Sequence, residues 1–101
     1  MIVIFTNFTN REDAVRIGMG LLEKRLVAAY DIWPVESAIW QKNKIVEHHR
    51  TAMLVRTTIR WYDDIAEYIK EQSHDDSPEV IALDSERIEP YYQKWLNDVV
   101  R

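Results

Sequence analysis

Ser37-Ala-Ile-Trp-Gln-Lys-Asn-Lys-Ile-Val-Glu-His-His-Arg-Thr-Ala-Met-Leu-Val-Arg-Thr-Thr58 decides how this chain is read. Lys42-Asn43 is a two-residue turn candidate, because Asn accepts the positive φ that tight hairpins require. From Lys44 to Arg56 there is neither Gly nor Pro, and residues alternate between faces at the two-residue period of a strand. At about 3.3 Å per residue such a strand spans roughly 40 Å. A compact domain of this length has a radius of gyration of about 13 Å and a diameter of about 33 Å. Part of the hairpin must therefore project from its own subunit. Ile39, Trp40, Ile45 and Val46 on a projecting ribbon invite aggregation unless another subunit covers them. The geometry predicts an obligate oligomer.

Working outward, the elements follow in an α/β order. Ile2 to Thr6 is apolar on both faces and suits a central strand, which Asn7 to Asn10 should break. Asn10 can cap a helix, with Asp13 near its positive end. Ala14, Ile17, Gly18, Leu21 and Leu22 then form a stripe at helical spacing that ends near Arg25. Gly18 and Gly20 each cost about 1 kcal/mol in a helix unless they allow close packing on the sheet. Leu26 to Trp33 reads as the next strand, Pro34 marks a bend or an edge, and Glu36 to Gln41 resumes the strand into the hairpin. Thr57 or Thr58 is placed to cap a second helix with Trp61, Tyr62, Ile65, Tyr68 and Ile69 buried. Gln72 to Pro78 is a polar loop and Glu79 to Asp84 a short strand. Pro90 opens a last helix carrying Tyr91, Tyr92, Trp95, Leu96 and Val99 on one side. The order β-α-β-β-α-β-α predicts an α+β chain: the ferredoxin-like βαββαβ arrangement with an extra carboxy-terminal helix. Residues 1–101 read as a single domain, with no repeat, linker or low-complexity stretch to divide them.

Composition narrows the function. Apolar residues make up 47% and charged residues 30%, which is globular composition. A formal charge of −4 offers nothing to nucleic acid or to an anionic membrane. No apolar run is long enough to span a bilayer, and Ile2-Val3-Ile4-Phe5 follows the first residue with no basic leader, so the cytosol is the expected compartment. The four Trp and five Tyr should mostly fill the core, with the remainder at interfaces. Cysteine is absent, which removes disulfides, thiolate ligands and a cysteine nucleophile. There is no Gly-rich phosphate loop, no nucleophile elbow and no His-Glu-x-x-His pair, so the chain is not expected to be an enzyme.

Several segments resemble the CutA family of divalent-cation-tolerance proteins. They are Leu22-Glu-Lys-Arg-Leu-Val-Ala-Ala29, Trp40-Gln-Lys-Asn-Lys-Ile45, Glu47, Leu54-Val-Arg-Thr-Thr58, Ser77-Pro-Glu79 and Tyr92-Gln-Lys-Trp-Leu96, in the right order across essentially the full chain. The resemblance implies a homotrimer of ferredoxin-like subunits locked by long hairpins, and a part in tolerance of copper and related divalent cations by metal binding or scaffolding. Where members carry thiols this chain has Tyr30 and Phe5, which leaves nitrogen and oxygen as ligands. Met19 and Met53 offer sulfur but read as core residues on a helix and a strand. The family's His-Pro-Tyr-x-x-Pro-Glu loop stands here as His74-Asp-Asp-Ser-Pro-Glu79, one residue shorter.

Two candidate sites follow. His74, Asp75, Asp76 and Glu79 cluster within six residues, a donor set suited to Cu²⁺, Zn²⁺, Ni²⁺ or Mn²⁺. The other reading of that loop is a solvated acidic segment with His74 bonded to backbone. His48 and His49 are adjacent on a strand, point to opposite faces and cannot share an ion. Trp40, Lys44, Glu47 and Arg56 carry the family-like pattern and form the second set. In a PII-like trimer they would bind a small anionic ligand in the cleft between subunits, or else Lys44 and Glu47 fix hairpin register by an intersubunit ion pair. Ile39, Ile45 and Trp95 are expected at the subunit interface.

Overall fold

The structure, a computed structural model, describes residues 1–75 and 78–101. It comprises β1 (Ile2–Phe8), α1 (Arg11–Glu23), β2 (Ala29–Gln41), β3 (Lys44–Thr57), a 3₁₀ turn (Ile59–Trp61), α2 (Tyr62–Gln72), β4 (Val80–Asp84) and α3 (Pro90–Val99). The strands form one antiparallel sheet in the order β2-β3-β1-β4. β1 lies inside the sheet, and its alternation divides the molecule. Ile2, Ile4, Thr6 and Phe8 face the helices and are buried, while Val3, Phe5 and Asn7 take the other face. The core joins Ile2, Ile4 and Phe8 to Ala14, Ile17 and Leu21 of α1, Met53 and Val55 of β3, and Ile65 and Ile69 of α2. The opposite face is apolar too, with Phe5, Leu54, Trp33, Ile81 and Leu83, and much of it is open to water, Trp33 and Ile81 being 40% and 45% exposed. Leu83 is 55% exposed there.

The hairpin has the expected form. Lys42 and Asn43 both take positive φ, 50° and 63°, as a two-residue turn of this handedness demands. β1 pairs with β3 only as far as Phe8 opposite Thr51, so beyond that point β2 and β3 have only each other. The free arm is about 23 Å long at 3.3 Å per residue. It stretches the molecule to 45 × 26 × 22 Å. Trp40 and Ile45, opposite each other near the tip, are 75% and 64% exposed.

Helix α1 begins as its residues dictate, with Asn10 Oδ1 accepting from the Asp13 amide at 2.8 Å. It ends in a Schellman motif: the Leu26 amide donates to Leu21 O at 3.1 Å and the Arg25 amide to Leu22 O at 2.9 Å, with Arg25 at φ 57°. The α1 glycines make room for neighbours. A Cβ on Gly18 would lie 2.9 Å from Tyr30 and Met53 on the sheet, and one on Gly20 would strike the Tyr68 hydroxyl of α2.

Several expectations are corrected. Asn7 does not break β1, because Asn7 and Phe8 continue the ladder against Ala52 and Thr51. Leu26 to Ala28 lie outside β2. Pro34 does mark an edge strand, as expected, but the ladder runs through it without a break. β2 is an edge strand, so the missing proline N–H deprives no neighbour. Neither threonine caps α2: the Thr57 hydroxyl donates to Leu26 O at 2.6 Å, and Thr58 precedes a 3₁₀ turn without a side-chain bond to it. Met53 is in the core, but Met19 lies off the α1 stripe and is 43% exposed. Most aromatics do not fill the core either. Phe8 alone among them is fully buried, and the others lie at its margin or on the surface. Of the α3 stripe only Leu96 is wholly buried, while Tyr91 and Trp95 are exposed.

Candidate functional site

The loop after α2 is fastened to the sheet by two carboxylates. Arg50, on the open face of β3, donates from Nη2 to Asp75 Oδ2 at 2.7 Å and from Nε to Asn7 Oδ1 at 2.5 Å. Asn7 Nδ2 then donates to Glu79 Oε2 at 2.7 Å. A relay Asp75–Arg50–Asn7–Glu79 thus ties both described ends of the loop to β3 and β1. The sheet register places its centre, since the polar Asn7 and Arg50 lie on neighbouring strands at the root of the arm. Arg50 and Asp75 are mostly shielded from water, which makes their charge-assisted bond stronger than one on an open surface.

Between this loop and the arm lies a groove of about 500 Å³, bordered by Asn7, Ile39, His48, Arg50, Asp75 and Glu79 among others. His74 stands at its margin, 78% exposed at the side chain, with Nε2 3.9 Å from Asp13 Oδ2. Asp13 is otherwise held by Arg16, whose guanidinium also bonds the backbone oxygen of Gln72 at 2.8 Å and so closes the end of α2. His74, Asp75 and Glu79 therefore share one groove but not one point. Among the described residues no three His, Asp or Glu side chains converge to hold an ion. Asp76 and Ser77 lie outside the described residues.

The second candidate set is spread along the hairpin. Trp40 and Glu47 project from the helix-side face of the arm, whereas Lys44 and Arg56 occupy the other face at opposite ends of β3. Arg56 is paired with Asp31 on the neighbouring strand, and its Nε is buried with no partner among the described residues. Within one chain these four line no common cleft. His48 and His49 take opposite faces, as their adjacency requires: His48 borders the groove and His49 faces Glu36 across the arm. Ile39 and Ile45 lie on opposite faces of the arm, both exposed, and Trp95 sits on α3 with its ring 5.2 Å from that of Tyr92.

Sequence reasoning missed Asn7, Asp13, Arg16 and Arg50. Arg50 could have been noticed as a cation alternating with His48 and Ala52 on one strand face. Its partners at positions 7 and 75 have no local signal, because the pairing exists only once the sheet has formed.

Residues 2–99 match the family model described as CutA1 divalent ion tolerance protein. A divalent-cation tolerance protein CutA from Thermotoga maritima is 31% identical over 100 residues, which cover 99% of each chain. Among solved structures, the periplasmic divalent cation tolerance protein CutA from Archaeoglobus fulgidus superposes with a TM-score of 0.97 at 28% identity, covering 100% of both chains. The divalent cation tolerance protein Cut A1 from Thermus thermophilus superposes with a TM-score of 0.96 at 27% identity, again over 100% of both. With the family model spanning nearly the whole chain and the fold shared from end to end, this chain belongs to the CutA1 family of divalent ion tolerance proteins.

Proposed function

We propose that the chain is the subunit of a cytosolic homotrimer of ferredoxin-like subunits that takes part in divalent-cation tolerance by binding cations or serving as a scaffold, and that it catalyses no reaction. The observation that carries assembly is the arm. It holds Trp40 and Ile45 in water on its helix-side face, while Ile81 and Leu83 are exposed on the opposite face of the sheet, and further copies of the same chain can cover both. The strand order and the single β-α-β-β-α-β-α course support the ferredoxin-like reading. No helix among the described residues is long and apolar enough to cross a membrane.

For cations, the loop supplies one exposed imidazole, His74, and two carboxylates already engaged in hydrogen bonds. With no cysteine in the chain, the donors are nitrogen and oxygen, which suit Zn²⁺, Ni²⁺, Cu²⁺ or Mn²⁺ rather than Cu⁺. A cation at this loop has to compete with Arg50 for Asp75, so binding should loosen the relay at the root of the arm. Calorimetric titration of the assembled protein with Zn²⁺, Ni²⁺ and Cu²⁺, beside nucleotides and small carboxylates, tests the reading. Micromolar cation binding with silent metabolites supports it. Silence toward cations with a response to the anions would replace it by a sensor of the PII kind.

A further inference from the structure

Asp13, in the first turn of α1, is a carboxylate held in place from several sides. Its amide donates to Asn10 Oδ1 at 2.8 Å, so its backbone is part of the helix cap. The positive end of the helix favours its ionised form. Its side chain is only 15% exposed, and its two oxygens are divided between two partners. Oδ1 accepts from Arg16 Nη2 at 3.4 Å, while Oδ2 faces His74 Nε2 at 3.9 Å. Arg16 is anchored on its far side as well, with Nη1 donating to Gln72 Oε1 at 3.1 Å and Nη2 to Gln72 O at 2.8 Å. One guanidinium therefore fixes both the end of α2, two residues before His74, and the carboxylate that His74 faces. A hydrogen bond of about 2.9 Å from Nε2 to Oδ2 requires an approach of about 1 Å, which rotation of the imidazole supplies because Asp13 is the partner held still.

We propose, resting on the part in cation binding given to the loop above, that Asp13 is a positioning residue for His74. It accepts the Nε2–H and so leaves Nδ1 as the nitrogen that takes Zn²⁺, Ni²⁺ or Cu²⁺. An imidazole that binds a cation through one ring nitrogen characteristically donates the N–H of the other to a carboxylate or carbonyl, which fixes both its tautomer and its orientation. Arg16 acts one step further out by keeping Asp13 and the end of α2 in register. The pairing ties the loop to α1, an element that carries none of the clustered ligands at positions 74–79. It also has a chemical signature. Nε2 is the ring nitrogen farther from the backbone and the less hindered, so a solvated, unsupported His74 would bind through it. Coordination through Nδ1 is what Asp13 imposes.

The test reads the ring nitrogen and carbon shifts of His74 in the labelled native assembly, assigned with His74→Ala, first without metal and then with Zn²⁺. At about pH 8, where an ordinary imidazole is neutral, the metal-free ring should be wholly in the Nε2–H form. Zn²⁺ should then shift Nδ1. In Asp13→Asn, which keeps the shape of the side chain and so spares the helix, a share of the Nδ1–H form should appear. Zn²⁺ should move at least partly to Nε2, and its calorimetric affinity should fall by about tenfold. Arg16→Gln should change the same three readouts in the same direction and by less, since Asp13 remains. Zn²⁺ on Nε2 of the native protein would overturn the proposal, and so would an Asp13→Asn ring with the native tautomer, nitrogen and affinity. The two ways of failing are distinct. Zn²⁺ that leaves every His74 shift unmoved would refute the loop as a cation site and the ligand role with it, whereas a native tautomer in metal-free Asp13→Asn would refute the pairing with Asp13 alone.

Discussion

Replacing Trp40 by alanine separates what one chain needs from what the assembly needs. An indole side chain offers up to about 250 Å², so with Trp40 75% exposed about 190 Å² of it remains in water in one chain. Covering all of that would be worth at most about 4.7 kcal/mol per subunit at 25 cal/mol/Å². Part of the ring edge stays solvated and alanine keeps a methyl group, so about 2 to 3 kcal/mol is the expected loss for an interface anchor. Two kcal/mol corresponds to roughly a 30-fold weaker contact. The fold of each subunit should be little affected, because on its own face of the arm Trp40 is opposed only by the similarly exposed Ile45. Sedimentation velocity over a dilution series should therefore show Trp40→Ala dissociating where the native protein stays assembled, with circular dichroism at high concentration unchanged. The same mass at every dilution and an unaltered melting curve would refute the reasoning, and Trp40 would then be free for a role in ligand binding.

Other substitutions probe the loop and the turn. Arg50→Gln removes the bonds to Asp75 and Asn7 at a half-buried site and should cost about 1 to 2 kcal/mol. Amide exchange should accelerate at residues 73–75 and 78–80, and unchanged exchange there would show that the relay does not anchor the loop. His74→Ala should weaken cation binding at the loop by about tenfold or more in calorimetry while leaving the melting temperature without metal nearly constant. Unaltered affinity would return His74 to the solvated-loop reading. Asn43→Val forces a β-branched residue to φ 63° and should cost about 1 to 2 kcal/mol, read as a lower melting temperature. An equal melting temperature would mean that the arm does not depend on this turn.

The arm was legible because everything that defines it is local. Lys42-Asn43 names the turn, and the run from Lys44 to Arg56 contains nothing that bends a strand. The cap of α1 was equally local, three residues from Asn10 to Asp13. Errors arose where tertiary position overrides local preference. Pro34 pointed rightly to an edge strand, but the ladder runs through it rather than stopping and resuming. Asn7 looked like a strand breaker, but its amide serves Arg50 and Glu79 across the sheet. The aromatics looked like core, but Tyr30, Trp61, Tyr62 and Tyr68 only flank it, while Trp33, Trp40, Tyr91 and Trp95 are exposed on the open sheet face, the arm and α3. The candidate metal loop was found by its clustered ligand types. Its engagement with Arg50 could not be foreseen, since 25 residues and a folded sheet separate Arg50 from Asp75.

Sedimentation equilibrium of the full chain at micromolar concentration tests the central claim most directly. An assembly through the arm and the open sheet face predicts a single species at three times the 12.1 kDa chain mass. A stable species at 12.1 kDa would contradict it, because a folded monomer would have to keep Trp40, Ile45, Ile81 and Leu83 in water without aggregating.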